Sequence, residues 1–149
     1  MTKPLDESTS LAIATQIKSK PKARFQNAYK AAVALKDALY VQGFLVFVGK
    51  PHKPVEHSWL ETEDRIIDPN FPFLNRKAEE LHYFPAQRLS VKQLKAAIEE
   101  AKEDYPDDEP LPIYGDPPYE YYGDSMLGGQ DYQTAYQAAN EKCKELNRK

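Results

Sequence analysis

The segment YVQGFLVFVG, residues 40–49, is the feature that most constrains the fold. It is rich in β-branched and aromatic residues, and between Phe44 and Val48 it is apolar on both faces. A strand of this kind has to be covered on both faces, so it belongs inside a sheet rather than at its edge. The sequence therefore predicts a central strand here.

Further extended segments follow the predicted central strand. VEHSWLE (residues 55–61) and RIIDP (residues 65–69) are separated by a short charged turn at residues 62–64, which is the pattern of a β-hairpin. The run LHYFPAQRLS at residues 81–90 predicts another strand. Pro85 lacks an amide hydrogen, so this strand is expected at a sheet edge or to contain a bulge.

Helical patterns flank the strands. Apolar residues at helical spacing and many alanines predict a helix that begins near Pro21, after a shorter helix within residues 10–19. Ser90 with Gln93 matches a capping box and predicts a helix there. A last helix is predicted over residues 131–147.

Helices and strands are segregated along the chain, so the predicted fold class is α+β. We expect one domain over residues 1–149, with a core at about 20–104 and a loop rich in proline and tyrosine at 105–129. This loop is interpreted as a surface segment held by aromatic packing. The alternative is a tyrosine-lined rim, centred on residues 105–122, that contacts a ligand or a partner.

Composition limits the classes of function. The formal net charge of −3 argues against a nucleic-acid partner, because binding to phosphates needs an excess of Lys and Arg. The basic run at residues 18–24 is read as the solvated start of a helix, with a nucleic-acid patch as the alternative. No apolar segment approaches the roughly 20 residues that span a bilayer, and the N-terminus lacks the pattern of a signal peptide. We therefore expect a cytoplasmic protein with no membrane partner.

Cysteine and histidine usage argues against a metal centre. Cys143 is the single cysteine, which excludes an internal disulfide and a multi-cysteine zinc site. The three histidines, His52, His57 and His82, do not have the spacing of metal ligands. We predict no metal and no cofactor.

His57 and Asp68 are the first candidate site. They lie eleven residues apart with the hairpin turn roughly midway between them, so both are expected near the open end of the hairpin, facing each other. A carboxylate in that position orients a histidine that acts as a general base. The alternative is structural, with His57 ending a strand and Asp68 starting the Asp-Pro turn.

Four short segments, in the order in which they occur, resemble the core of papain-like and transglutaminase-like cysteine enzymes. They are ARFQNA, YVQGFLV, HSW and IIDP, at residues 23–28, 40–46, 57–59 and 66–69. The chain is similar in particular to small bacterial and phage proteins of unassigned function built on that core. The resemblance covers residues 20–70 and implies a papain-like or transglutaminase-like core, with a helix packed on an antiparallel sheet. The helices of the C-terminal part are predicted from the sequence pattern.

Each segment carries one part of the family's motif. In the family, a cysteine near the start of the helix precedes an Asn-Ala, which residues 27–28 match. A strand then leads to a His-x-Trp, matched by residues 57–59, and an Asp-Pro at residues 68–69 closes the motif. The resemblance thus implies His57 as the base and Asp68 as its orienting residue.

The chain departs from the family at the nucleophile. Depending on register, its position is occupied by Ala23 or Arg24, and neither side chain can attack a carbonyl. Ser10 and Ser19 precede the predicted helix. Cys143 is far away on a predicted C-terminal helix, where it is interpreted as a small core residue.

Three explanations of this departure remain open. The chain is a natural pseudoenzyme, or an enzyme in which a cysteine at position 23 was changed to alanine, or a protein that shares only the fold, which does not carry function. Under the first, Arg24 at a helix N-terminus would favour a bound anion. A solvent-facing first-turn residue is the alternative for Arg24.

The leading prediction is a catalytically silent relative of cysteine peptidases and acyl transferases that binds a peptide, a protein or a small ligand through the remnant cleft. Trp59 and Asn27 are predicted as cleft residues, with a core position as the alternative for Trp59. The second prediction is an active cysteine hydrolase or transferase whose nucleophile at position 23 or 24 has been replaced. The third is an interaction or assembly protein that uses residues 105–122.

Overall fold

The computed structural model of the chain describes residues 3–108, 110–113, 115, 119–122 and 125–148, with the side chain at 125 outside the description. The described part contains four α-helices and six strands. The helices are α1 (Glu7–Ile17), α2 (Arg24–Leu35), α3 (Val91–Asp104) and α4 (Gln130–Leu146). The strands are β1 (Leu39–Val46), β2 (Val55–Glu61), β3 (Ile66–Ile67), β4 (His82–Leu89), β5 (Tyr119–Tyr122) and β6 (Ser125–Gly128).

Strand β1 is internal, as its two apolar faces predict. The main sheet has the order β3-β2-β1-β4, and each neighbouring pair is antiparallel. The predicted hairpin is present, since β2 and β3 pair through Leu60 with Ile67 and Glu61 with Ile66. The α+β class is confirmed; the finer papain-like assignment stays a prediction.

Strand β4 has both properties that Pro85 predicts. It lies at the edge of the sheet, and its register with β1 shifts between Gln42 and Gly43, so that Gly43 pairs with Pro85 and Gln42 with Gln87. A Cβ atom at Gly43 would meet the carbonyl oxygen of Phe84, so only glycine allows β4 to approach this closely.

The helices cover one face of the sheet. Buried residues of α1, α2 and α3, including Ala28, Ala32 and Leu94, pack with Tyr40 and Leu60. Helix α4 packs on the same face farther along β1, and its residues cluster with Phe44, Val46, Tyr122 and Leu127. This even-numbered face of β1 and β2 is called the helical face below, because side chains alternate between the two faces of a strand.

The opposite face is covered mainly by coil. Val41, Leu45, Trp59 and Tyr83 point there and pack with residues of the N-terminal segment and of the segment between β3 and β4. That connecting segment contains two short 3₁₀ turns, Phe71–Phe73 and Ala78–Glu80. We call this odd-numbered side of β1 and β2 the coil-covered face.

Of three expectations about the secondary-structure elements, one is confirmed and two need correction. Helix α2 begins at Arg24 rather than near Pro21, because Lys22 has a φ of 67°, which no helix continues. The capping box of Ser90 and Gln93 at the start of α3 is confirmed. The predicted loop at residues 105–129 is wrong in part, since it contains the β5–β6 hairpin.

The segment before that hairpin is held by a buried amide. Gln42, on the helical face, donates a hydrogen bond to the carbonyl of Ile113 at 2.9 Å and accepts one from its N–H at 2.7 Å. The same side chain is bonded to the hydroxyls of Tyr40 and Tyr132.

In the described part of the chain, no helix is long and apolar enough to cross a membrane.

Candidate functional site

His57 and Asp68 form the hydrogen bond that the sequence predicts. The distance between His57 Nε2 and Asp68 Oδ2 is 2.8 Å, and both residues are buried, with His57 2% exposed and Asp68 fully covered. His57 belongs to β2, and Asp68 directly follows β3, so the hairpin register brings the two side chains together. Their contact is shown; a role in catalysis stays a prediction.

Asp68 is held by more than His57. Its Oδ2 also accepts a hydrogen bond from the Tyr83 hydroxyl at 2.7 Å, and its Oδ1 accepts one from the backbone N–H of Asn70 at 2.8 Å. The backbone N–H of Asp68 donates to Ser10 Oγ at 2.9 Å. A fully buried carboxylate needs such donors, because burial without them would cost several kcal/mol.

These contacts determine which proton donors face the carboxylate. Burial, the charge of Asp68 and the hydrogen bond to Asp68 raise the pKa of Tyr83 well above its usual value of 10, so Tyr83 stays a neutral donor. Where Asp68 is the acceptor of this contact, as an ionised carboxylate must be, His57 Nε2 is the donor and carries the hydrogen. In the neutral ring, Nδ1 is then the atom with a free lone pair.

A cleft of about 330 Å³ opens beside His57. Four of its residues are polar: Lys22, Arg24, His57 and Asn70. The other residues that line it are apolar, namely Leu45, Phe47, Val55, Phe73 and Leu74. The volume is within the range of small-ligand sites, roughly 300–1,000 Å³. The described residues therefore form a cleft beside His57, and its use as a binding site stays a prediction.

Of the two candidate nucleophile positions, Arg24 borders the cleft and Ala23 is not among its lining residues. Ala23 is the N-cap of α2 and makes no side-chain capping bond. The carbonyl of Arg24 accepts a hydrogen bond from Asn70 Nδ2 at 3.1 Å, which ties the first turn of α2 to the segment after Asp68. Of the two candidate positions, only Arg24 is therefore at the cleft; whether either residue replaces a nucleophile stays a prediction.

His57 faces away from most of helix α2. His57 pairs with Gly43 on the coil-covered face, beside Trp59, whereas α2 packs on Tyr40 and Leu60 across the sheet. Alternation along β2 is the reason, because Leu60 is an odd number of residues from His57. Only the first residue of α2 extends to the cleft that His57 lines.

Trp59 and Asn27 are not cleft residues, so this prediction is wrong. Trp59 is fully buried, its ring packs against Tyr83 at a centroid distance of 4.9 Å, and its Nε1 donates to Glu61 at 3.3 Å. Asn27 is 1% exposed and is bonded to both backbone groups of Lys20 and to Asn70 Oδ1. Trp59 is a core residue, which was the alternative given for it, and Asn27 is a buried residue that holds neighbouring segments together by hydrogen bonds.

Sequence reasoning missed several residues of this site. Ser10, Tyr83 and Asn70 support Asp68, and Lys22 adds a second cation at the cleft. Asn70 directly follows the Asp-Pro pair and could have been suspected from that position. Ser10 and Tyr83 come from distant segments with no local signal. Among the described residues there is no cluster of three or more potential metal ligands.

Comparisons of the chain with protein-family models, with curated proteins and with solved structures found no match. The resemblance to cysteine enzymes therefore depends on the motifs alone, and the site has to be interpreted from its own geometry.

Proposed function

We propose that the chain is a catalytically silent relative of papain-like and transglutaminase-like cysteine enzymes, and that it binds a peptide or small ligand in the cleft beside His57. The observation that carries the proposal is that this cleft combines an oriented histidine with an arginine. A histidine oriented by a buried carboxylate borders it, and so does Arg24, which is one of the two residues that the motif assigns to the nucleophile position.

The His57–Asp68 pair has the features of a catalytic dyad that has kept its environment. His57 Nε2 is bound to a carboxylate, and that carboxylate has two further donors, so the ring is held in one orientation. A hairpin that only needed polar ends would not require a fully buried, triply bonded carboxylate. This arrangement supports the proposal that the His57–Asp68 pair derives from, or resembles, the histidine base and carboxylate that activate a nucleophile in the family.

Among the described residues, neither Arg24 nor Ser10 can serve as a nucleophile for acyl transfer at this cleft. A guanidinium has no lone pair for attack at neutral pH, and the Ser10 hydroxyl is buried and accepts the Asp68 N–H. The alternative of an enzyme altered at position 23 is less well supported, since Ala23 does not line the cleft.

The test restores a thiol at the nucleophile position. Arg24→Cys is treated with iodoacetamide near neutral pH, and the alkylation rate of the new thiol is measured by mass spectrometry. A nearby base activates a thiol, so we expect a rate about tenfold above that of an ordinary exposed cysteine. The excess should vanish when His57→Gln is added.

A helix N-terminus lowers the pKa of a thiol by itself, so a matched control is needed. Lys92→Cys places a cysteine in the first turn of α3, at an exposed position that does not line the cleft. Ala23→Cys tests the other register, and the native Cys143 is buried and reports unfolding. Equal rates for the thiols at positions 24 and 92, or a rate unchanged by His57→Gln, would contradict the proposal.

A second function has separate support in the β5–β6 hairpin. Tyr121 pairs across the strands with Met126, and both are exposed, together with Tyr119. We propose this hairpin face as the surface of an interaction or assembly protein, because tyrosine and methionine are enriched at interfaces. Of the predicted segment at residues 105–122, positions 109, 114 and 116–118 lie outside the described residues.

Light scattering after size-exclusion chromatography tests the second function. Self-assembly would give a mass above that of one chain, and Tyr121→Ser with Met126→Ser would return it to the monomer. A monomeric parent chain over a wide concentration range would contradict assembly through this face.

A further inference from the structure

We infer that the occupant of the cleft is an N-acylated apolar amino acid with a free carboxylate, the chemistry shared by a peptide C-terminus and a free N-acyl amino acid. The inference rests on the proposed function, since it requires the cleft to be a binding site. It follows from three groups that the cleft brings together: two cations, a ring nitrogen and an apolar wall.

The charged side of the cleft is cationic. Lys22 and Arg24 border it, and among the described residues that line it none is acidic. Arg24 lies 3.9 Å from the nearest oxygen of Glu56, which is an ion pair beyond hydrogen-bond distance. A guanidinium has five N–H donors in a planar fork, so Arg24 can bind a carboxylate of the ligand while it remains near Glu56.

Asp68 does not cancel this positive charge at the cleft wall. It is fully buried, it is not a lining residue, and its oxygens accept hydrogen bonds from His57, Tyr83 and Asn70. A ligand in the cleft therefore meets the His57 side chain rather than the carboxylate.

His57 contributes an acceptor. Its side chain is 3% exposed and lines the cleft, and Nε2 is bound to Asp68. In the described part of the chain no hydrogen-bond partner of Nδ1 is seen, and Nδ1 is not among the fully buried unpartnered polar atoms. Its lone pair is therefore available to a ligand N–H. The amide N–H of an N-acyl amino acid lies next to its carboxylate, so one ligand residue can satisfy both Nδ1 and Arg24.

The remaining wall selects the side chain. Leu45, Phe47, Val55, Phe73 and Leu74 line it. An aliphatic or aromatic side chain that leaves water for this wall gains roughly 25 cal/mol for each Å² buried. A ligand that is only an anion, such as acetate, would leave the wall in contact with water.

Four small probes separate these contributions. N-acetyl-leucine carries all three features, N-acetyl-leucinamide lacks the carboxylate, 4-methylpentanoate lacks the N–H, and N-acetylglycine lacks the side chain. Each is titrated into ¹⁵N-labelled protein, and affinity is measured from the amide shifts of residues 22–24, 57 and 70. We expect N-acetyl-leucine to bind most tightly, and the amide to bind about tenfold more weakly, as expected for a charge-assisted hydrogen bond.

Two variants show where the carboxylate is bound. Arg24→Gln should weaken N-acetyl-leucine about tenfold and leave N-acetyl-leucinamide unchanged. Lys95→Gln removes the same charge from an exposed position of α3 that does not line the cleft, and should change neither affinity. The spectrum of each variant without probe reports whether the fold is retained.

Equal binding of the acid and the amide, or a loss caused equally by both variants, would overturn the inference, as would the absence of shifts at the cleft. These outcomes can be distinguished from failure of the proposed function, because that function is tested by the alkylation rate of the thiol at position 24, which is measured without any ligand. A peptide that ends in leucine and binds more tightly than N-acetyl-leucine identifies a peptide C-terminus as the source. A peptide that binds more weakly than N-acetyl-leucine identifies the free N-acyl amino acid.

Discussion

Tyr83 and His57 donate hydrogen bonds to the same oxygen of Asp68, at 2.7 and 2.8 Å. The three side chains come from β4, from β2 and from the residue after β3, and all are buried. The orientation of His57 therefore depends on an edge strand that is not part of the His57–Asp68 hairpin. This relationship leads to the first two predictions.

Tyr83→Phe should destabilise the protein. It removes one of three donors from a fully buried carboxylate while leaving the ring packed against Trp59. Hydrogen bonds to charged groups contribute about 1.5–3 kcal/mol, so we expect the free energy of unfolding in urea to fall by about 2 kcal/mol. Tyr121→Phe at an exposed position is the control and should change it by less than about 0.5 kcal/mol. Equal stability of the two variants would contradict the role given to Tyr83.

Stability should fall as pH rises above about 10. Burial raises the pKa of Tyr40 and of Tyr132, and burial with the charge of Asp68 raises the pKa of Tyr83. Above the ordinary tyrosine pKa of about 10, the unfolded chain has lost these protons and the folded chain has kept them, so the unfolded state is favoured. Urea unfolding at several alkaline pH values measures the slope. Tyr83→Phe removes one of the contributing groups and should make the slope shallower; an unchanged slope would mean that Tyr83 titrates normally.

Gln42→Leu should be among the most destabilising substitutions. The amide of Gln42 bonds both backbone groups of Ile113 and the hydroxyls of Tyr40 and Tyr132. Leucine has a similar size but leaves the N–H and the carbonyl of Ile113 without their bonds to Gln42, while the Tyr132 hydroxyl keeps its bond to Gln87. We therefore expect a loss of about 3 kcal/mol in the free energy of unfolding. Gln137→Leu on the exposed side of α4 is the matched control and should have little effect. If both variants unfold at the same urea concentration, Gln42 does not anchor residues 110–113.

Gly43→Ala should disturb the sheet at the level of His57. The added Cβ would meet the backbone carbonyl oxygen of Phe84, and a backbone atom cannot move aside as a flexible side chain can. Overpacking of this kind costs about 3 kcal/mol. Because Gly43 pairs with His57 and with Pro85, we also expect altered amide shifts on both neighbouring strands. A stability within about 0.5 kcal/mol of the parent would show that β4 can withdraw without cost.

Asp6 should stabilise the fold in a pH-dependent way. It caps α1 by accepting hydrogen bonds from the N–H and hydroxyl of Thr9, and it pairs with Arg65; these contacts, in that order, lower the pKa of Asp6 below 3.8. A lowered pKa means that the stabilisation is present above the ordinary pKa and is lost as pH falls through the folded value.

Two substitutions separate the cap from the charge. Asp6→Ala removes both and should cost about 1 kcal/mol at neutral pH, whereas Asp6→Asn keeps most of the cap. Both variants should lose less stability than the parent when urea unfolding is repeated near pH 3. A parent and an Asn variant with the same acid dependence would show that the charge of Asp6 is not involved.

The local patterns of this chain determined most of its secondary structure. The two apolar faces of residues 44–48 predict an internal strand, Pro85 predicts an edge with a bulge, and Ser90 with Gln93 predicts a helix start; all three are present. Each of these signals depends on neighbours in sequence, through alternation, a missing N–H or a side chain that reaches its own backbone. The start of α2 was misjudged because Pro21 is acceptable both in a first helical turn and in the turn before it.

The hydrogen bond of His57 with Asp68 was also within reach of the sequence, because a hairpin of known turn sets which residues approach each other. The rest of the site was decided by tertiary structure. Ser10, Tyr83 and Arg24 reach it from three other elements, and the face on which His57 lies follows from how the helices cover the sheet. Sequence alone determined most of the elements and one hairpin contact, since these are local. The β5–β6 hairpin was not predicted. Only the packed fold decided that Trp59 is core and that Arg24 borders the cleft, because those depend on contacts between segments far apart in the chain.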